Sequence, residues 1–287
     1  MPQLFLRALL FAISITGLGR YVKMPVRTDP GKKLQGGLTL FFILGVLLWW
    51  LWLTHGATIE ERIVPPIILP SPMEVLRAFP RLLAEQSLIT SVLPSFNRIL
   101  NGFALAAIVT LPLGIMMAAY PKVMAFFRPL ALIGGYVPIV VFVPLSLTWF
   151  GIGETQKVGF LFLGCFVALL PAVIRAIDAV PDEYLTVAAT KGATQWQLVS
   201  KVLFPVAAPA IWNSLRTAYG IGWSWIILAE IVNADKGIGY IISLSERRGH
   251  TASTYAIIII ICAIAVACDR LWQYGGKQLF PYIQAEN

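Results

Sequence analysis

Charged residues are scarce in this sequence, and their scarcity excludes an ordinary soluble protein. Asp, Glu, Lys and Arg make up 13% of the 287 residues, against about 25% in typical soluble domains, while hydrophobic residues make up 58%. A soluble chain of this length needs a polar surface that so few charges cannot cover. The composition therefore predicts an integral membrane protein.

Cysteine and histidine are also rare, which argues against metal, disulfide and histidine-based catalytic chemistry. The three cysteines, Cys165, Cys262 and Cys268, lie in apolar runs and form no C-x-x-C pair. We interpret them as small apolar helix residues rather than metal ligands or disulfide partners. The two histidines, His55 and His250, stand at the edges of apolar segments. We therefore predict no catalytic residue and no bound metal.

A phosphate-binding loop of the form G-x-x-x-x-G-K-[ST] is absent as well. The segment 31–33, Gly-Lys-Lys, has neither the upstream glycine nor the hydroxyl residue that this loop needs. Three Gly-Ile-Gly passages, at 151–153, 220–222 and 237–239, lack the strand–helix context of a dinucleotide-binding site. We assign them to turns or close helix packing. We therefore expect no cofactor bound by this chain.

Long apolar runs are what the sequence does contain. They are continuous rather than alternating, which excludes a membrane β-barrel, and each is near the roughly 20 residues that a helix needs to cross a bilayer. We predict an all-α fold with six membrane spans, at 34–59, 99–121, 129–153, 158–174, 202–229 and 249–268. The predicted domains are an apolar and basic N-terminal segment, 1–33, and a six-span membrane domain, 34–287. Residues 3–18 of the first are predicted to be an interfacial or partly inserted helix, because they are too short to span comfortably.

Basic residues orient these spans. The net charge is +8, but the Lys and Arg residues are dispersed, which does not favour a nucleic-acid surface. Basic residues are enriched in cytoplasmic segments, and several precede the first predicted span. We therefore place both ends of the six-span core, and the segment between spans four and five, in the cytoplasm. The residues that decide this are Arg20, Lys23, Arg27, Lys32 and Lys33.

The segment between spans four and five, residues 180–205, is polar, and we call it the polar loop. Its sequence predicts a helix that starts after Pro181, with acidic residues in its first turn, and a reversal at Gly192. Thr194 and Gln197 then fit a capping box that opens a second helix, which Pro205 is predicted to end. From these residues alone, the loop is either an interfacial hairpin that joins two spans or a rigid docking surface for a cytoplasmic partner.

The polar loop resembles the signature loop of permease subunits of ATP-binding-cassette (ABC) importers, E-A-A, three residues, Gly, nine residues, then I-x-L-P. Gly192 aligns with the glycine and Pro205 with the proline, so the spacing of thirteen is kept, whereas Thr186 replaces the glutamate. The resemblance implies that this loop couples the chain to an ATPase. The residues that it assigns to coupling are Asp182, Ala188, Ala189, Gly192, Ala193, Thr194, Val202 and Pro205.

The resemblance extends over residues 38–275, through passages such as "VPIVVFVPLSLTWFGIGETQK" and "YGIGWSWIILAEIVNADKGIGYII". These are similar to the binding-protein-dependent subfamily that serves nitrate, sulfonates, taurine and bicarbonate. The resemblance implies a homodimeric permease in the bacterial inner membrane. It also implies two cytoplasmic ATPase subunits that bind ATP and Mg²⁺, and an extracytoplasmic substrate-binding protein. No residue distinguishes one of these substrates from another.

Charged residues inside apolar spans are candidates for function. Arg216 is interpreted either as reaching back to the cytoplasmic interface or as lining a pathway, and Glu230 either as a gate or as a helix-end residue. Arg98 is interpreted as an interfacial anchor, and the pair 269–270, Asp-Arg, as an exit charge pair. Trp223 and Ser224 lie on the span that lines the translocation pathway in the family that the chain resembles.

A membrane-embedded enzyme and a secondary transporter are the two alternatives to a permease. A membrane-embedded enzyme should show clustered His, Asp or Glu near one interface, and the acidic residues here are scattered. A secondary transporter without an ATPase partner should show inverted repeats or paired ionisable residues in mid-membrane. Neither pattern is visible in the sequence.

Overall fold

The computed structural model describes residues 31–56, 58–85, 88–134 and 136–282. The chain divides into two compact units, Met1–Leu53 and Thr54–Asn287. The predicted interfacial helix at 3–18 lies outside the described residues. Every regular element in the described ranges is helical, as the sequence predicts.

The first unit contributes one described helix, α1 (Lys32–Leu53), whose 22 residues include none that is buried. Apart from the two lysines at its start it carries no charge, and it is long and apolar enough to cross a membrane. It matches the first predicted span but ends at Leu53, before the polar turn that follows.

The second unit contains ten helices within the described ranges. A 3₁₀ turn, Ile139–Val141, precedes the fifth helix in chain order, and a π-helical segment, Leu198–Leu203, precedes the ninth. The helices are α2 (Pro72–Glu85), α3 (Leu88–Ala119), α4 (Pro121–Gly134), α5 (Phe142–Phe150), α6 (Glu154–Asp178), α7 (Asp182–Thr190), α8 (Gln195–Gln197), α9 (Phe204–Asn233), α10 (Ile238–Arg247) and α11 (Thr251–Leu279).

Five of the described helical stretches are long and apolar enough to be membrane spans: α1, α3, α6, α9 with its preceding turns, and α11. The predicted third span, 129–153, is wrong as a single helix. It is divided between the end of α4 and the short apolar α5, because Pro138 adopts an extended conformation and the chain restarts there with a 3₁₀ turn. Proline has no amide hydrogen to donate, so the break lies where the helix ladder cannot continue.

Helix α6 lies at the centre of the second unit. It packs mainly against α3 and α9, and its buried side chains include Phe160, Leu161 and Leu169. Two glycines of α3 permit this close approach. A methyl group added at Gly102 would lie 2.6 Å from Cβ of Leu161, and one added at Gly114 would lie 2.8 Å from a methyl carbon of Val173. Small residues at such contacts are typical of helix packing in membranes.

Candidate functional site

The polar loop is a helical hairpin whose turn is fixed by backbone hydrogen bonds. After α7, the amide of Ala193 donates to the carbonyl of Ala188 and the amide of Gly192 donates to that of Ala189, at 3.1 and 2.9 Å. Gly192 has φ +82, the left-handed conformation that glycine adopts without strain. This pair of bonds is the Schellman motif, and it confirms the predicted reversal at Gly192.

The second half of the hairpin begins with the predicted capping box. The backbone amide of Gln197 donates to the Thr194 hydroxyl at 3.4 Å, and the Gln197 side-chain oxygen accepts from the Thr194 amide at 2.8 Å. Both bonds are local, so the sequence pattern alone was sufficient to predict them.

Pro205 does not end the second helix, contrary to the prediction. The chain passes through the π-helical segment Leu198–Leu203 and continues directly into α9, with Pro205 in its first turn. A proline here removes one amide and crowds the carbonyl four residues earlier. The wider π turn accommodates both effects, so the polar loop and α9 form one continuous helical path.

The tip of the polar loop is exposed although its base is anchored. None of residues 181–198, all of which the structure describes, is buried. Three large apolar side chains, Tyr184, Val187 and Trp196, are 54%, 56% and 64% exposed. The base is held by Val180, Val199 and Leu203, which are buried in one hydrophobic cluster with side chains of α6 and α9.

The residues assigned to coupling share this exposed surface. Thr186, which stands where the related loops have glutamate, donates its hydroxyl to the Asp182 carbonyl at 3.0 Å inside α7. Within the described ranges, no group of three or more His, Cys, Asp or Glu is placed to hold a metal ion. Five of the assigned residues are exposed and three are half-buried: Asp182, Ala189, Gly192, Thr194 and Pro205, then Ala188, Ala193 and Val202.

At the opposite end of α9 from the polar loop, a charge cluster is formed by the buried residues Ser95, Arg98, Lys157 and Glu230 together with the exposed Glu154. One oxygen of Glu230 accepts from the Ser95 hydroxyl at 2.6 Å and from Arg98 Nη1 at 2.7 Å. Arg98 also donates to both carboxylate oxygens of Glu154, which accepts from Lys157 Nζ at 3.3 Å as well. The cluster therefore ties α3, α6 and α9 together.

The charge cluster corrects the interpretation of Arg98 as an interfacial anchor. Arg98 is only 5% exposed and Glu230 only 1%. A buried charge needs a partner, and two carboxylates from different helices supply it. These residues are 56 and 132 positions from Arg98, so no local pattern could have joined them.

The turn between α9 and α10 completes the charge cluster. The amide of Gly239 donates to the second oxygen of Glu230 at 2.8 Å, and the amide of Ile238 donates to the Ser95 hydroxyl at 2.9 Å. A Cβ at Gly237, where φ is +131, would lie 2.5 Å from the carboxylate of Glu230. The Gly-Ile-Gly passage at 237–239 therefore forms a tight turn that packs against the Glu230 carboxylate.

Arg216 pairs with Asp269 across α9 and α11. Its Nε and Nη2 donate to the two carboxylate oxygens at 2.5 and 3.0 Å, and the Gln273 side chain donates to the same carboxylate. Asp269, interpreted from the sequence as part of an exit charge pair with Arg270, therefore has Arg216 as its hydrogen-bonded partner. Arg216 lies in the loop-side half of α9, twelve residues after Phe204, and Asp269 lies ten residues before the end of α11.

Trp223 and Ser224, two of the predicted pathway residues on α9, differ in exposure. Trp223 is 2% exposed and packs in the core, whereas Ser224 is exposed. Ser224 belongs to a row of small and polar residues along one side of α9, which we call the open face. Sequence reasoning missed this row, although its spacing of three and four residues was a visible signal: Ala210, Asn213, Thr217, Gly220 and Ser224, all of which are exposed.

Outside the candidate spans, an ion pair holds the segment before α2. Arg62 donates two hydrogen bonds to the Glu74 carboxylate, at 3.0 and 3.2 Å, and the Ser71 amide donates a third at 2.8 Å. These contacts, the Arg62 hydrogen bond first, hold the pKa of Glu74 below its usual value. Hydroxyls of Thr251 and Tyr255 donate to the carbonyls of Ile67 and Ile68, so the same segment is fastened to α11.

Comparison with known proteins identifies what this chain is similar to. The family described as "binding-protein-dependent transport system inner membrane component" matches residues 110–274, more than half of the chain. A putative ABC transporter permease protein of Methanocaldococcus jannaschii is 32% identical over 222 residues, covering 76% of this chain and 83% of the relative. The taurine transport system permease protein TauC of Escherichia coli is 29% identical over 246 residues, covering 83% and 87%.

A solved structure shares the fold. A chain of the MetNI methionine ABC transporter, in an inward facing conformation, superposes with a TM-score of 0.58. The match covers 69% of this chain and 97% of that chain, at 19% sequence identity.

Proposed function

Because this chain belongs to the family of binding-protein-dependent transport system inner membrane components and is the permease subunit of an ABC importer, we propose that it moves a small anion into the cytoplasm. The proposed substrates are taurine or another sulfonate, nitrate or bicarbonate. The similarity to a taurine permease over 83% of the chain supports this class. The energy is proposed to come from ATP that binds, with Mg²⁺, to separate cytoplasmic ATPase subunits.

The polar loop is the proposed docking site for the ATPase. The single observation that carries this proposal is a loop whose backbone is fixed by hydrogen bonds and yet unburied, with Tyr184, Val187 and Trp196 each more than half exposed. Exposed aromatic side chains in a fixed backbone are typical of residues that dominate a protein interface. A loop that merely joined two spans would not need both features.

The connection of the polar loop to α9 supports a mechanism for coupling. The buried side chains Val199 and Leu203 join the loop base to α6 and α9, and the π-helical segment continues into α9 without a break. A displacement of the loop by ATPase closure would therefore move the loop-side end of α9. The charge cluster holds the other end, so the proposed motion is a tilt of α9 about Glu230.

The open face of α9 is the proposed wall of the translocation pathway. Polar side chains such as Asn213 and Ser224 are exposed there in a helix otherwise apolar enough to span a membrane. Exposure of such groups to lipid is unfavourable, so a water-filled path or a second copy should cover them. Exposed Asn97 and Asn101 on α3 support the same conclusion, and we propose a homodimer. Trp223 is proposed to position α9 rather than to contact substrate.

The orientation that we propose places the polar loop and the C-terminus in the cytoplasm of a bacterial cell, beneath the inner membrane. A substrate-binding protein would then dock on the opposite, extracytoplasmic side. Glu230, with Arg98, would lie near that side as a gate element. These assignments rest on the distribution of basic residues and on the family to which the chain belongs.

Copurification of the permease with its ATPase tests the docking role. Trp196→Ala should weaken the complex about tenfold or more, because it removes an exposed aromatic anchor without disturbing a buried contact. Trp149→Ala on α5 is the matched control, since Trp149 is 56% exposed but lies outside the polar loop. An unchanged complex with Trp196→Ala, or equal losses in both variants, would contradict docking at this loop.

A further inference from the structure

A pocket of about 420 Å³ opens between α9 and α11; none of its lining residues is assigned to coupling, and it shares only Asn213 with the open face of α9. It lies where Asp269 first interrupts the apolar run of α11. Its walls combine apolar and aromatic side chains with two cations and two amides. The main lining residues are Pro209, Trp212, Asn213, Arg216, Gln273 and Lys277.

The back wall of the pocket is fixed by Trp212. Its ring lies against two adjacent glycines of α11, and a Cβ on Gly275 or Gly276 would lie 3.1 or 2.9 Å from ring atoms. The indole nitrogen donates to the Trp272 carbonyl at 3.0 Å, and the two indole rings are 4.6 Å apart at their centroids. The pocket is therefore a built feature with a rigid aromatic surface.

The charge of the pocket is positive. Arg216 is oriented by Asp269 through its Nε and Nη2, which leaves Nη1 for another acceptor. Lys277 has no carboxylate partner within the described ranges, and it is exposed. Two cations against one carboxylate leave an excess of one positive charge beside Trp212.

The pocket lies in the loop-side half of α9 and near the end of α11. Arg216 precedes the buried Glu230 by fourteen residues, which is about 21 Å along a helix with a rise of 1.5 Å per residue. Lys277 lies about 12 Å beyond Asp269 by the same measure. On the exposed side of α11 it follows Leu271 and Tyr274, which are 70% and 64% exposed. This face is apolar at Leu271 and Tyr274 and basic at Lys277, so it can contact both the acyl chains and the headgroup of a lipid.

We propose that this pocket binds the phosphate group of an anionic phospholipid from the leaflet on the side of the polar loop. Arg216 Nη1 and Lys277 Nζ would hold the phosphate oxygens. The acyl chains would lie against Trp212 and the apolar face of α11. Basic pockets between membrane helices suit such headgroups. A free phosphate ion offers the same oxygens but would gain nothing from the apolar wall.

Native mass spectrometry of the purified full-length chain tests this site. The chain in detergent is titrated separately with phosphatidylglycerol, phosphatidylcholine and inorganic phosphate, whose adducts differ in mass. One phosphatidylglycerol should remain bound per chain. Lys277→Gln should weaken its retention about fivefold, in line with one basic residue at a membrane surface, and Lys277→Arg should restore it. Lys122→Gln, which removes another exposed basic residue on the same predicted side, should have no effect.

Several outcomes would overturn the proposal. Equal retention by Lys277→Gln and the unchanged chain would do so, as would equal affinity for phosphatidylcholine. Inorganic phosphate that competes as strongly as the lipid would assign the pocket to a free anion. A photoactivatable phosphatidylglycerol provides a second measurement on the unaltered chain, because its crosslinks should map to residues around Trp212 and Lys277. Crosslinks distributed without preference for α9 and α11 would contradict the site.

Discussion

Removal of Arg98 provides the sharpest test of the charge cluster. In Arg98→Met the buried Glu230 keeps hydrogen bonds from Ser95 and Gly239 but loses the one cation that pairs with it among the described residues. Removing one partner of a buried ion pair costs about 3–5 kcal/mol of unfolding free energy. Glu154 contributes little to this loss, because its side chain is 64% exposed and it keeps Lys157.

A double-variant cycle separates the ion pair from simple packing. Glu230→Gln removes the charge while keeping an oxygen that can accept from the Gly239 amide. Arg98→Met combined with Glu230→Gln should therefore be more stable than Arg98→Met alone, because no uncompensated charge remains buried. We expect a coupling of about 2 kcal/mol between the two positions, within the range for residues in contact.

Unfolding of the purified chain in mixed micelles, with increasing dodecyl sulfate and tryptophan fluorescence as the signal, measures these free energies. The unchanged chain, both single variants and the double variant are compared at pH 7. Additive losses in the double variant would refute the reasoning, since they would mean that Arg98 and Glu230 stabilise the fold independently. A loss below about 1 kcal/mol for Arg98→Met would refute it as well.

Three further predictions concern single positions. Gly192→Ala should reduce ATPase copurification and destabilise the hairpin by about 1 kcal/mol, because a methyl group is strained at φ +82, whereas Gly249→Ala, at φ +67 and equally open, should leave the complex intact. Gly102→Ala should lower the unfolding free energy by about 1–3 kcal/mol through a clash with α6, and Gly45→Ala, with no neighbour, should not. The lowered pKa of Glu74 adds stability above its ordinary pKa of 4.5, and this is lost as pH falls through the lower folded value. Thermal unfolding between pH 6 and pH 3 should therefore show a steeper loss for the unchanged chain than for Glu74→Gln, and parallel curves would contradict this.

Local patterns were sufficient for the polar loop. Its helix start, the Gly192 reversal and the Thr194 capping box depend on hydrogen bonds between residues no more than five apart, so the sequence specifies them directly. Two predictions of where helices end or continue were wrong, and both involve a proline. A proline can stand in the first turn of a helix or at a break between helices. Pro205 continues into α9 through a π turn, whereas Pro138 stands at a break, and the choice depends on the surroundings of each.

The sequence by itself determined that this chain is an all-helical membrane protein, because a continuous, non-alternating apolar run satisfies its backbone hydrogen bonds in lipid as a helix. It also determined the reversal at Gly192 and the capping box at Thr194 in the polar loop. Only the tertiary structure decided which residues of the spans act together. Arg98 donates a hydrogen bond to Glu230, and Arg216 donates one to Asp269. Ser224 lies on the open face of α9, whereas its neighbour Trp223 is buried. These pairings join helices far apart in sequence, so they depend on how the helices pack rather than on any local pattern.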